Sequence, residues 1–121
     1  MTPFGEEMRR LRAFRGITLQ KMAKDLGVTS AYLSALEHGH RGRPNRRFLH
    51  RVCQYFAIIW DEAEALERLA HLSTPKAVLD SSGLSAQHFA VANQLADDFR
   101  NLDEEQLNEL EAIIQRAKTA L

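Results

Sequence analysis

Glycine punctuates the first forty residues, and its spacing restricts the possible folds more than any other feature of the chain. Gly16, Gly27 and Gly39 each close a run in which apolar residues recur every three or four positions. That is the pattern of short helices with one buried face and an end that favours left-handed backbone. The first run predicts a helix over about 4–14, with Phe4, Met8 and Leu11 on one face. Thr18 caps a second over 19–26 that buries Leu19, Met22, Ala23 and Leu26, and Thr29 caps a third over about 30–38 with Leu33 and Leu36 inward. Residues 40–44 form a loop. Asn45 then caps a fourth helix burying Phe48, Leu49, Val52, Cys53 and Phe56, and a fifth over about 61–71 turns Leu66, Leu69 and Ala70 inward. No alternating pattern competes for these segments, so the expected fold class is all-α.

Residues 73–83 carry Pro75, Gly83 and three serines around a small apolar knot and read as a linker. Two more helices are expected after it, over about 85–101 and 103–121. His88, Ala92, Leu95, Phe99 and Leu102 form one stripe, and Leu107, Leu110, Ile114, Ala117 and Leu121 the other. Asp103 answered by Gln106 is a capping-box start. The expected organisation is a domain over 1–72, a linker over 73–83 and a helical hairpin over 84–121. Two helices alone bury little, so the stripes need a second surface. That surface is either the first domain or, as favoured here, the hairpin of another copy, through Leu95, Phe99, Leu102, Leu107, Leu110, Ile114 and Ala117.

The net charge of zero conceals two unlike halves. Through Trp60 there are eleven Lys and Arg against four acids, and beyond it five against twelve. Such asymmetry suggests a polyanion-binding half joined to one with another task, commonly self-association or partner binding.

Two short helices joined by a glycine-containing turn have the layout of a helix-turn-helix, whose second helix enters the major groove. The run Leu11-Arg12, Arg15 to Leu19, Met22-Ala23, Leu26 to Thr29, Tyr32 to Ser34, Leu36 to Gly39 and Pro44 resembles the Cro/C1-type (XRE-like) repressor family over roughly 4–56. Its positions depend on one another: Ala23 lets two helices cross closely, Gly27 makes the turn, and Leu33 and Leu36 seat the recognition helix. The resemblance implies a five-helix, lambda-repressor-like domain. It also implies double-stranded DNA as partner, with contacts from Thr18, Gln20, Ser30, Ala31, Tyr32 and Ser34, and Ala35 as a further contact. The family's phosphate-binding glutamine slot is held here by Leu19, and Gln20 comes one position later. Ser and Ala form a sparse menu for base edges, since neither makes the bidentate bonds that discriminate best. DNA shape or the loop that follows the recognition helix then shares the readout.

Arg41, Arg43, Arg46, Arg47 and Arg51 follow the recognition helix with no acid among them and read as phosphate clamps. A dimer neutralising about six to ten phosphates would lose roughly 10³–10⁵ in affinity between 50 and 200 mM salt. The resemblance pairs Arg12 with Glu37 as a half-buried ion bridge between the first and third helices, which makes both structural.

Other chemistries find little support. His38, His40, His50 and Cys53 lack structural-zinc spacing. No cofactor or enzymatic activity is expected. Cys53, the single cysteine, reads as a small core residue. A serine–lysine self-cleaving domain cannot be built from the helical stretch after the linker. No apolar run approaches the ~18 residues of a membrane span. The first residues lack a secretory pattern, so a cytoplasmic location is expected. The expected function is a sequence-specific DNA-binding regulator, a homodimeric repressor on a near-palindromic operator. The alternative is an antitoxin-like or adaptor protein whose C-terminal half holds a protein partner and whose DNA binding serves autoregulation. A third reading, release by an external protease cutting the linker or the hairpin, rests only on the exposed-looking linker.

Overall fold

The first helix, α1 (Pro3–Arg15), starts on a proline, the residue whose missing N–H costs nothing at a helix N-terminus. Thr2 caps it, its Oγ1 accepting from the Gly5 amide at 3.0 Å. The computed structural model describes residues 1–120, and the described residues hold helices without a strand. The remaining helices of the first unit are α2 (Leu19–Leu26), α3 (Ser30–Glu37), α4 (Arg46–Phe56) and α5 (Asp61–His71). Thr18, Thr29 and Asn45 cap α2, α3 and α4 through side-chain oxygens that accept from Lys21, Tyr32 and Phe48 amides at 3.1, 3.0 and 2.8 Å. Gly27 ends α2 with φ 71°, a conformation that a Cβ would strain.

These five helices enclose one core in which Phe4, Met8, Met22, Leu33 and Val52 are fully buried. Leu11, Leu19 and Cys53, expected inside, are only half-buried and pack against its edge. Leu69 is also half-buried, because the inward face of α5 centres on Leu66 and Ala70. α1 and α3 approach each other closely at Gly5. A Cβ on Gly5 would sit 2.2 Å from the Glu37 carbonyl oxygen. That oxygen instead accepts from the Thr2 amide at 3.0 Å and from the Thr2 hydroxyl at 2.9 Å.

The seam between α1 and α3 also holds a buried ion pair. Arg12 is 7% exposed and Glu37 1%. The guanidinium donates twice to the carboxylate, at 2.5 and 2.9 Å, and Arg12 Nη1 lies 3.5 Å from Met22 Sδ. The pairing read from the resemblance is therefore present and more deeply buried than expected. A two-pronged bond of this kind satisfies both charges where water cannot reach.

The chain divides into two compact units, Met1–Ala77 and the segment from Val78 onward. Ser73, placed in the linker on composition, belongs to the first unit. It is buried, and its Oγ accepts from the Phe4 amide at 2.9 Å and donates to the Leu69 carbonyl at 2.7 Å. It thus satisfies one of the free amides at the start of α1.

The second unit consists of α6 (Ala86–Asp98), a 3-10 turn over Phe99–Asn101, and α7 (Glu104–Thr119). The helix expected to continue to residue 101 tightens at Phe99, because Leu102 is extended and Asp103 is already the cap of the next helix. Asp103 and Gln106 form the expected reciprocal cap, at 2.9 and 3.0 Å. Neither α6 nor α7 contains a buried residue. Phe99, Leu107 and Ile114 of the stripes are exposed, as are Phe89, Val91 and Ile113 outside them. Leu95, Leu102 and Leu110 are half-buried and Ala117 is exposed. Leu121, expected on the second stripe, lies outside the described residues.

Candidate nucleic-acid interface

The N-terminal ends of α2, α3 and α4 carry no acid in their first turns, nor does that of α6, whereas α1, α5 and α7 all do. Free amides and the helix dipole make such ends anion-seeking. In α4 the first turn is positive, Arg46-Arg47, an arrangement that opposes the dipole and that an external anion would relieve.

One groove of about 520 Å³ opens between the starts of α3 and α4. Thr29, Tyr32, Arg41, Asn45 and Arg47 line it. Tyr32 meets Phe48 edge to face at 6.4 Å between ring centroids, with the rings at 78°. The Arg41 guanidinium lies 5.3 Å from the Tyr32 ring centroid. Tyr32 is therefore a half-buried platform joined to α4 that holds Arg41 in place by cation–π attraction. Its ring packs on Phe48 of α4.

The other sequence-derived residues take distinct places. Thr18 and Gln20 are exposed at the start of α2, and Ala31 is exposed on α3. Ser30 is half-buried at the first position of α3. Ser34 lies across α3 from Tyr32, in a second groove of about 360 Å³ shared with Arg9, Leu19 and His38. Its carbonyl accepts from His38 Nδ1 at 2.9 Å. Arg9, which entered the sequence reading only as a charge, is the basic residue missed there. Its position on α1 gives no local signal that it borders the recognition helix.

The run of five arginines does not act as one patch. Only Arg41 and Arg47 lie free in the groove beside Tyr32. Arg51 donates to the Leu26 carbonyl and so closes the C-terminal end of α2, although it borders the same groove. Arg43 donates to His71 Nδ1 at 2.9 Å, at the end of α5. Arg46 faces a separate groove between α4 and α5. Arg15, also in the basic half, donates to the Phe56 carbonyl at 2.7 Å. The five arginines read as phosphate clamps therefore have different surroundings: Arg41 and Arg47 in the groove, Arg51 at the end of α2, Arg43 at the end of α5 and Arg46 in the groove between α4 and α5.

Behind the groove, α2 is tied to α4 by a bond of 2.6 Å from the Tyr55 hydroxyl to Asp25 Oδ2. Burial first, and then this carboxylate, push the Tyr55 phenol up to about 12. The Tyr55 bond and then Lys21 hold the Asp25 carboxyl below its usual range. Burial raises the Cys53 thiol, which disfavours the reactive thiolate. Among the described residues no group of three or more His, Cys, Asp or Glu side chains is placed to hold a metal ion. No described helix is long and apolar enough to cross a membrane.

Comparison with known proteins agrees with this geometry. The chain is 31% identical over 65 residues to the uncharacterized HTH-type transcriptional regulator RghRB of Bacillus subtilis strain 168, covering 54% of this chain and 47% of that protein. It is 33% identical over 61 residues to the HTH-type transcriptional repressor RghR of the same strain, covering 50% and 45%. The chain thus matches just under half the length of these curated relatives. No solved structure matches it. The family model for the helix-turn-helix domain matches residues 3–67, α1 through most of α5. The chain belongs to the helix-turn-helix domain family, the membership that its Cro/C1-type resemblance implied.

Proposed function

We propose that this protein is a DNA-binding transcription regulator, a homodimeric repressor acting on a near-palindromic operator. The observation that carries this reading is the groove between α3 and α4. Two capped helix starts, Arg41 on its Tyr32 platform and Arg47 converge there beside the exposed face of a recognition helix. Arg41 and Arg47 bind phosphates, while Ser30, Ala31 and Ser34 meet base edges with help from DNA shape. Thr18 and Gln20 contact the backbone from the start of α2. The two curated relatives, named as a transcriptional regulator and a repressor, support the same assignment.

The dimer is supported by the second unit, where α6 and α7 leave their apolar residues unburied. A second copy covers these stripes and pairs two recognition helices with half-sites about one turn, ~34 Å, apart. The same exposed stripes suit the alternative, a hairpin that holds a different protein while DNA binding serves autoregulation.

The test is fluorescence anisotropy of the full chain on the duplex upstream of its own coding sequence and on a scrambled duplex. Preferential binding to the first supports a sequence-specific regulator. Equal, weak binding to both, vanishing at higher salt, refutes it and turns attention to a protein partner of the hairpin.

A further inference from the structure

Two of the arginines that follow the recognition helix are tied to the fold, and the ties differ in kind. Arg51 donates to the Leu26 carbonyl, which does not titrate. Arg43 donates from Nη1 to His71 Nδ1 at 2.9 Å, and an imidazole does titrate. A guanidinium has donors only, so Nδ1 must be the bare nitrogen of the ring. In this bond His71 is therefore neutral, with its hydrogen on Nε2. A proton added to His71 lands on Nδ1, turns the acceptor into a donor and sets two cations at hydrogen-bond distance. The bond cannot survive that change.

The positions of the two residues give the change a consequence. Arg43 lies two positions from Arg41 and two from Asn45, both of which line the groove beside Tyr32. Released from His71, its side chain is free to reach an anion held in that groove. His71 is in the last turn of α5 together with Arg68, and the C-terminal end of a helix favours positive charge. Toward α4, Glu67 lines a groove with Arg46 and His50. Toward α1, Glu62 lies with Glu7 and Arg10, which pair with each other. Among the described residues Arg43 alone bonds the His71 ring, and it pairs with no carboxylate.

We propose that His71 is a proton-operated latch on Arg43, holding it at the end of α5 when neutral and releasing it to a DNA phosphate when protonated. The inference rests on the DNA-binding reading and adds a regulation to it. Histidine is the side chain that changes charge between pH 5 and 8, so acidification strengthens binding. With the latch closed each copy offers Arg41 and Arg47, and with it open Arg43 as well. For the proposed dimer this is about four phosphates against six, and the salt slope steepens by about 2. Protons also add charge at His38, His40 and His50, so the test isolates Arg43 by subtraction.

Fluorescence anisotropy on the duplex upstream of the coding sequence is measured at about pH 5.5 and 8 for the parent, Arg43→Ala, His71→Ala and the double variant. Both positions are exposed. In the parent, Arg43→Ala should cost about tenfold in affinity at the lower pH and less than about twofold at the higher. In the His71→Ala background it should cost about tenfold at both. Without DNA, the Arg43 Nε signal in nitrogen NMR of the full chain should move together with the His71 ring signals as pH falls, and should lose that movement in His71→Ala. An Arg43 signal that stays flat while His71 titrates overturns the latch. An Arg43→Ala cost that is equal at both pH values in the parent overturns it as well. If Arg43 follows His71 and yet no duplex is preferred at either pH, the DNA-binding reading has failed and takes the proposal with it.

Discussion

Replacing Arg12 by alanine should destabilise the first unit far more than the loss of one side chain suggests. The substitution leaves Glu37, 1% exposed, as a buried carboxylate without its two guanidinium bonds of 2.5 and 2.9 Å. Breaking a buried pair from one side costs about 3–5 kcal/mol, because the remaining charge keeps its desolvation penalty and loses its compensation. A unit of this size has a total stability of roughly 4–12 kcal/mol, so the loss removes from about a quarter of it to all of it. With a urea dependence of about 1 kcal/mol per molar, the midpoint should fall by roughly 3–5 M, or the unit should unfold in buffer. Helical circular dichroism of the full chain through a urea titration measures this. The companion variant, Arg12→Met with Glu37→Leu, removes both charges and should return to within about 1–2 kcal/mol of the parent. A loss below about 1 kcal/mol for Arg12→Ala would mean that water reaches the carboxylate, and would refute the reasoning. Because Glu37 closes α3, DNA binding should be lost in Arg12→Ala in proportion to unfolding and recovered in the double variant.

Two further outcomes separate roles that the sequence leaves merged. Arg51→Ala should lower stability by about 1 kcal/mol, the worth of an ordinary cap or hydrogen bond, whereas Arg47→Ala should leave the urea midpoint nearly unchanged and weaken binding to every duplex alike. Equal effects of the two on urea unfolding would show that Arg51 does not serve Leu26. The Tyr55–Asp25 bond should appear at both ends of a stability–pH profile. Tyr55 is raised to about 12, so its contribution is complete below the unfolded phenol's value near 10 and is lost as pH rises from there through about 12. Asp25 is lowered, so its contribution is present above the unfolded carboxyl's value near 4 and is lost as pH falls through the lower folded value. Tyr55→Phe should flatten the alkaline limb, and thermal melts across pH would detect its persistence.

What could be read from the sequence was what is decided within a few residues. The oxygens of Thr18, Thr29, Asn45 and Asp103 bond amides three positions on, so the helix starts were visible as side-chain chemistry. The glycine ends and the apolar spacing were equally local. Contacts made across the fold were not visible. Ser73 reaches Phe4 over 69 positions and Arg51 reaches Leu26 over 25. Serine near proline and glycine looks like linker, and arginine near arginine looks like a patch, until tertiary packing supplies a buried acceptor. The Arg12–Glu37 pair, 25 residues apart, was legible only through the family resemblance. The left-handed backbone of Trp60, φ 56°, had no signal at all, since the residue type argues against it.

Placement of the arginines changes the expected salt dependence of DNA binding, which is the sharpest measure of how the basic half is used. Arg46 and Arg47 are neighbours, and successive residues on a helix diverge by about 100°, so they cannot both face one groove. Arg47 lines the groove with Tyr32, while Arg46 lines the one with α5. Arg51 and Arg43 are engaged with Leu26 and His71. Of the five arginines, Arg41 and Arg47 lie free in the groove with Tyr32; two per copy give the proposed dimer about four neutralised phosphates, so the logarithm of affinity should fall with that of salt at a slope near −4. Five equivalent clamps per copy would give about ten phosphates and a slope near −9. Between 50 and 200 mM salt the two cases differ as roughly 10²-fold against 10⁵-fold in affinity. A slope near −9 on the preferred duplex would show that Arg43 and Arg51 leave His71 and Leu26 when DNA binds. A slope near −4 that drops by about two in Arg47→Ala would place one phosphate on each copy of that residue.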